Sequence, residues 1–137
     1  MEIRRLGAAD GPLLDAAVRA FRGFEQRADR SCLVDLGALA FVALDGETVA
    51  GWAFGHLVPR PVGPPTLVLY ELDVAPAARG GGIGRALLAA FAEVARERGS
   101  TSMWVMTDVD PEVAGHLHPG AGARPEGVPS GPWWVFG

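Results

Sequence analysis

The run Arg79-Gly80-Gly81-Gly82-Ile83-Gly84 is the stretch of this sequence best suited to hold a charged ligand. Four glycines in five positions present a backbone with no Cβ to keep a ligand away. Apolar residues recurring from Ile83 onward predict a helix that begins inside the run. A helix start carries amides with no intrahelical acceptor and a partial positive charge, which together make a seat for a phosphate or pyrophosphate. The bland alternative is an ordinary strand-to-helix turn, which needs only one or two glycines. Two familiar phosphate loops are excluded. G-x-G-x-x-G would require glycine or alanine at Arg85 or at Leu87, and the Walker loop requires a lysine that the chain lacks.

Just upstream, Glu71 and Asp73 interrupt the apolar run Thr66 to Val74. In a strand they alternate onto one face with α-carbons roughly 6.6 Å apart. Two carboxylates on an otherwise apolar strand are costly unless paired or used. They are therefore candidates for acid–base work, or partners of arginines such as Arg22 or Arg27. Asp108, Asp110 and Glu112 form a second acidic patch, with no basic residue between Arg98 and Arg124. The bland reading is a solvated helix start favoured by the dipole; the sharper one is that the patch, with Glu25 and Asp29, attracts a polycationic amine. His116 and His118 beside these carboxylates raise a metal site, but their two-residue spacing on a short helix turns the rings to different sides, and no metal is expected.

The elements that must position these groups read as follows. Glu2 to Leu6 is a weak strand. Asp10 opens a helix with Pro12 just inside and Leu13, Leu14, Ala17, Val18 and Phe21 at helical spacing. A second short helix is expected over Cys32 to Leu36, ending at Gly37. Leu39 to Leu44, Asp45-Gly46 and Thr48 to Val58 form a hairpin. Pro59 to Pro65 is a stiff loop, since four of its seven residues are proline. Thr66 to Val74 reads as a central strand covered on both faces. The helix from Ile83 stops at Gly99, and Thr101 to Thr107 is a strand parallel to Thr66–Val74. A short helix opened by Asp110 and Pro111, a loop over Gly120 to Gly131 and a terminal strand Trp133 to Phe136 complete the chain.

Composition sets the frame. The chain has 137 residues, enough for one domain with its own core and no metal or disulfide staple. Twelve basic residues against sixteen acidic leave a net charge of −4, which disfavours a general nucleic-acid or anionic-membrane surface and permits a cationic substrate. All the basic residues are arginine, so a Schiff-base lysine and a lysine general base are excluded. Cys32 is the single cysteine and reads as a small buried hydrophobe in a protein of a reducing cytoplasm, with a covalent acyl carrier as the remote alternative. No apolar window reaches membrane-span length. Trp104, Trp133 and Trp134 read as core or as the surface of a homodimer.

The spacing Arg79-x-x-Gly82-x-Gly84, between a strand and a helix, resembles the R/Q-x-x-G-x-G/A signature of the GNAT superfamily of acetyl-CoA-dependent N-acetyltransferases. The element order resembles that fold over nearly the whole chain. Leu57-Val58-Pro59-Arg60, Leu69-Tyr70-Glu71-Leu72-Asp73-Val74 and the Arg79 motif are similar to type I aminoglycoside 3-N-acetyltransferases. The resemblance implies an α/β fold with a mixed central sheet whose parallel strands splay, flanked by helices. It implies that the Gly80, Gly81, Gly82, Ile83, Gly84 and Arg85 amides hold the pyrophosphate of acetyl-CoA, with Arg79 at its border. The backbone of Leu72 and Val74 would pair with the pantetheine arm. Glu71 stands where the family's general base acts, with Asp73 as ammonium anchor or second candidate. His118 stands where many members place a tyrosine acid, and an imidazole can serve as acid near neutral pH. Pro111 replaces a frequent asparagine.

The expected activity is acetyl transfer from acetyl-CoA to a primary amine of a small polar cation, with an aminoglycoside as the specific candidate, drawn in by Glu25, Asp108 and Asp110. A peptide or protein amine is the alternative acceptor, for which an extended groove beside Pro59–Pro65 is expected. A CoA-binding module without catalysis and a structural partner subunit are the rivals of other classes.

Overall fold

The apolar runs flanking Asp45-Gly46 form the hairpin of β2 (Ala38–Asp45) and β3 (Thr48–Val58), with Asp45 opposite Thr48. The two-residue loop is therefore Gly46-Glu47, one position later than the dipeptide suggests, and Gly46 at φ 62 supplies the positive angle that such a loop needs. In this computed structural model the described residues are 1–100, 102–105, 123–125 and 133–136. They form a seven-stranded sheet in the order β1-β2-β3-β4-β5-β7-β6. The remaining strands are β1 (Glu2–Arg5), β4 (Thr66–Val74), β5 (Ser102–Val105), β6 (Ala123–Pro125) and β7 (Trp133–Phe136). Only β4 and β5 pair in parallel, joined through the crossover helix α2 (Ile83–Glu97). The fold is the mixed α/β sheet that the motif order implies.

The two helices cover opposite faces. On one face α1 (Gly11–Arg22) lays Leu14 and Ala17 against Ala40, Val42 and Trp52. On the other, α2 buries Leu87, Phe91 and Ala95 against Leu67, Leu69 and Met103, and Phe91 lies 5.0 Å from the Phe41 ring. Gly51 lets α2 approach β3, since a Cβ there would stand 2.7 Å from Ile83 Cγ2. Gly99, at φ 77, ends the helix while the Ser100 amide donates back to the Ala95 carbonyl at 2.8 Å.

Three sequence expectations are corrected. The segment expected as a helix over Cys32 to Leu36 is a single 3₁₀ turn, Arg30–Leu33, started by the Asp29 carboxylate accepting from the Ser31 amide at 3.0 Å. The stretch read as pure loop after Gly120 contains β6, which pairs with β7 through Ala123 opposite Phe136. Strand β4 is not covered on both faces: Leu67 and Leu69 are sealed under α2, but Tyr70 is 44% exposed and Glu71 to Val74 are half-buried. Among the described residues α1 packs on β2 and β3, through Ala40, Val42 and Trp52.

A break in the β3–β4 ladder decides which way the carboxylates point. Phe54 lies opposite Glu71 and Gly55 opposite Leu69, so Tyr70 is an extra residue without a partner, a β-bulge. Plain alternation would put Glu71 and Asp73 on the face of Leu67 and Leu69, inside the α2 core. The bulge instead gives that face to Leu72 and Val74 and turns Glu71 and Asp73 toward α1.

Candidate active site

Glu71 and Asp73 share one cation. The Arg22 Nε donates to Glu71 Oε1 at 2.7 Å and its Nη2 to Asp73 Oδ2 at 2.9 Å, while Nη1 donates to the Phe21 carbonyl at 2.9 Å. Arg22 sits at the last position of α1, so the helix aims the guanidinium across the sheet to β4. The buried Trp52, opposite Asp73 in the ladder, donates its indole N–H to Glu71 Oε2 at 3.2 Å. Burial opposes the Arg22 charge, but the bonds to Glu71 and Asp73 outweigh it and raise the guanidinium further above its ordinary value. The arginine pairing that the sequence allowed is thus present, and it is Arg22 that makes it; Arg27 is exposed. The three partly exposed side chains form an open cluster rather than a sealed core pair.

The glycine loop lies at the same end of β4. After Val74 comes a 3₁₀ turn, Pro76–Ala78, and then Arg79 to Gly82 leads into α2. Gly80 and Gly82 have φ 85 and 84, a region costly for any residue with a Cβ. The first intrahelical bond runs from the Ala86 amide to the Gly82 carbonyl at 3.0 Å, so the Ile83 and Gly84 amides have no acceptor within the helix. A Cβ at Gly80 or Gly82 would meet no protein atom within 4 Å. These positions border open surface, so their glycines serve the backbone angle and close access from outside, which fits an anion cradle. Arg79 donates from Nε to the Val74 carbonyl at 3.3 Å, tying the loop to the end of β4. Arg85 is exposed at the third position of the helix.

The described β4–β5 pairing runs from Leu67 opposite Met103 to Leu69 opposite Val105. Leu72 and Val74 lie beyond it, half-buried against the α2 core. On the α1 face, a groove of about 540 Å³ opens between Val68 and Tyr70 of β4, Trp104 of β5 and Arg60 in the proline-rich loop. Tyr70 joins this groove to the carboxylates: its ring stacks on Phe54 at 6.3 Å, and Phe54 stacks on Trp52 at 6.2 Å. Trp104, expected in a core or a dimer surface, is half-buried and lines this groove.

The structure therefore gathers Glu71, Asp73, Leu72, Val74 and the 79–85 loop at one end of β4. It leaves Glu25 exposed in the turn that follows α1. His118, Asp108 and Asp110, together with His116, Pro111 and Glu112, lie outside the described residues. Asp29 is committed to its local cap. Cys32 is half-buried, and burial, then the Asp29 carboxylate, push its thiol above the ordinary value, which opposes an acyl-carrier role. Among the described residues no cluster of His, Cys, Asp or Glu is placed to hold a metal, and no helix is long and apolar enough to cross a membrane. Sequence reading gave Trp52 and Tyr70 no role and named a groove beside Pro59–Pro65 only as what a peptide acceptor would require. Their roles depend on the bulge register, which no local pattern announces.

Residues 10–119 match the model of the acetyltransferase (GNAT) family. No curated protein sequence matches the chain significantly. Solved structures do. An aminoglycoside acetyltransferase from an uncultured soil metagenomic sample, in complex with trehalose, is 21% identical over 85% of this chain and 83% of its own, with a TM-score of 0.73. A second aminoglycoside acetyltransferase from such a sample is 24% identical over 93% of both chains, with a TM-score of 0.72. A ribosomal-protein-alanine N-acetyltransferase from Brucella melitensis biovar Abortus 2308 is 21% identical over 86% of this chain and 88% of its own, with a TM-score of 0.66. At these identities the likeness is one of fold.

Proposed function

As the chain belongs to the acetyltransferase (GNAT) family and is an acyl-CoA-dependent N-acetyltransferase, we propose that it acetylates a primary amine that approaches on the α1 face, with Glu71 as general base. The observation that carries this reading is the bulge-directed display of Glu71 and Asp73 at the end of β4 that also bears the glycine loop. Acetyl-CoA supplies an acetyl thioester when bound. The Gly80–Gly84 backbone would hold its pyrophosphate, with Arg79 at the border and Arg85 adding the third amide of the helix start, and the β4 backbone at Leu72 and Val74 would pair with its pantetheine arm.

Glu71 takes the proton that the amine sheds, directly or through one water, as the N–C bond forms and the C–S bond breaks. Arg22 and Trp52 fix the carboxylate in orientation, one on each oxygen. Asp73 keeps Oδ2 on Arg22 and anchors the incoming ammonium. His118 hands a proton to the departing sulfur.

A small cationic amine is one acceptor class, with an aminoglycoside as the specific candidate and Glu25, Asp108 and Asp110 as its attractors. The peptide amine is the second, and the groove beside the Pro59–Pro65 loop favours it. Free-thiol release from acetyl-CoA over a panel of aminoglycosides and N-terminal peptides tests the activity. Release with some amine, lost in Glu71→Gln while acetyl-CoA still binds, is the expected result.

A further inference from the structure

We infer that the groove is the distal acceptor subsite and that it takes an extended peptide of about four residues, with the amine at Glu71 and a carboxylate at Arg60. This rests on the acetyl-transfer reading above and narrows its acceptor.

Charge and shape along the α1 face carry the inference. Near the bulge stand two carboxylates, Glu71 and Asp73, which together outnumber the single guanidinium, Arg22, that they share. The floor that leads away from them is mostly apolar, made by Tyr70, Val68, Trp104 and Val58. From Tyr70 to Thr66 the strand advances roughly 13 Å at about 3.3 Å per residue, the length of about four extended residues. At the far end Arg60 is exposed, and among the described residues no carboxylate pairs with it. It stands between Pro59 and Pro61 on a loop that Pro64 and Pro65 also stiffen, so little backbone order is lost when it engages an anion.

The face thus runs from negative to positive across an apolar floor. A zwitterion of matching length satisfies both ends, with a guanidinium fork suited to a carboxylate. A polycation complements the near end but meets a like charge at Arg60. The groove therefore selects an amine that carries its own anion.

The test compares a tetrapeptide with a free N-terminus, an apolar interior and a C-terminal glutamate with its twin ending in glutamine amide, and with kanamycin. Free-thiol release is the readout. The acidic peptide is expected to show at least tenfold higher kcat/KM than its neutral twin. Arg60→Ala should abolish that ratio and leave acetyl-CoA affinity unchanged, while Arg60→Glu should favour a lysine-ended peptide. Equal rates for the two peptides, a ratio that survives Arg60→Ala, or acetylation of kanamycin alone would overturn the subsite and leave acetyl transfer standing. Silence with every amine would sink the acetyl-transfer reading instead. In that case calorimetric binding of the acidic peptide decides the groove, supported if Arg60→Ala removes the binding and overturned if it does not.

Discussion

Arg22, at the end of α1, holds Glu71, in the second half of β4, by a 2.7 Å bond from Nε to Oε1, and the same guanidinium reaches Asp73. One helix end thus sets the position of both carboxylates that the sequence marked as chemical. The guanidinium is more than a third exposed, so this network contributes only about 1 kcal/mol to stability. Its importance lies in orientation.

Glu71→Gln keeps the shape of the cluster and removes the base. Turnover is expected to fall about 100-fold or more, the usual range for a lost general base, with acetyl-CoA affinity unchanged. Arg22→Ala should lower kcat less than Glu71→Gln does and cost about 1 kcal/mol in a denaturant melt. Arg22→Lys should not restore kcat, because a single ammonium cannot present the fork that spans Glu71 and Asp73. Steady-state kinetics on the three variants, with separate kcat and KM, check this. Unchanged turnover in Glu71→Gln would remove it as base.

Gly82 serves the loop rather than the core. At φ 84 a Cβ costs about 1–2 kcal/mol of backbone strain, yet it would touch no protein atom within 4 Å. Gly82→Ala is therefore expected to raise KM for acetyl-CoA about tenfold or more, equivalent to about 1.4 kcal/mol, while kcat at saturating acetyl-CoA changes little. A titration of acetyl-CoA against initial rate measures it.

Gly55 makes the bulge possible. A Cβ there would stand 2.5 Å from the Val68 carbonyl oxygen and 2.9 Å from the Phe91 ring, so Gly55→Ala must push β4 away or shift the ladder. The expected cost is about 1–3 kcal/mol, accompanied by a large loss of kcat, because the turn of Glu71 toward α1 depends on this register. Leu39→Ala, a buried change on β2 that costs about 2–5 kcal/mol, should lower the melting temperature at least as much and keep its kcat below the melt. Equal kcat losses in the two variants would separate the bulge from catalysis.

The same register explains what the sequence could and could not reveal. The glycine loop was legible because its cause is local: positive φ at Gly80 and Gly82 and a helix start at Ile83 are written in adjacent residues. The hairpin and both long helices were legible through period and punctuation. The facing of Glu71 was not, since plain alternation from Leu67 leads to the wrong face and the correction comes from Gly55 on another strand. The 3₁₀ turn at Arg30–Leu33 was misread as a helix because Asp29 and Ser31 satisfy each other locally and stop propagation after one turn. The groove needed β4, β5 and the proline loop together, and no single segment encodes it.

Asp35 offers a pH test of the segment between the 3₁₀ turn and β2. Its Oδ1 accepts from the Gly37 amide at 2.9 Å and lies 3.0 Å from His56 Nε2, and these, the amide first, hold its carboxyl below the ordinary value of 3.8. A lowered folded value means that the unfolded chain binds the proton more readily. The stabilisation is therefore complete above pH 3.8 and disappears as pH falls through the lowered folded value. Asp35→Asn should accordingly lower the melting temperature at about pH 6, and the gap from the parent should close in acid as the parent's own carboxylate protonates. Gly37 must stay glycine for the pair to form, because a Cβ there would collide with the His56 ring. Thermal melts of the parent and Asp35→Asn across the acid range measure the gap; one that is constant with pH would show that Asp35 acts through shape and not through charge.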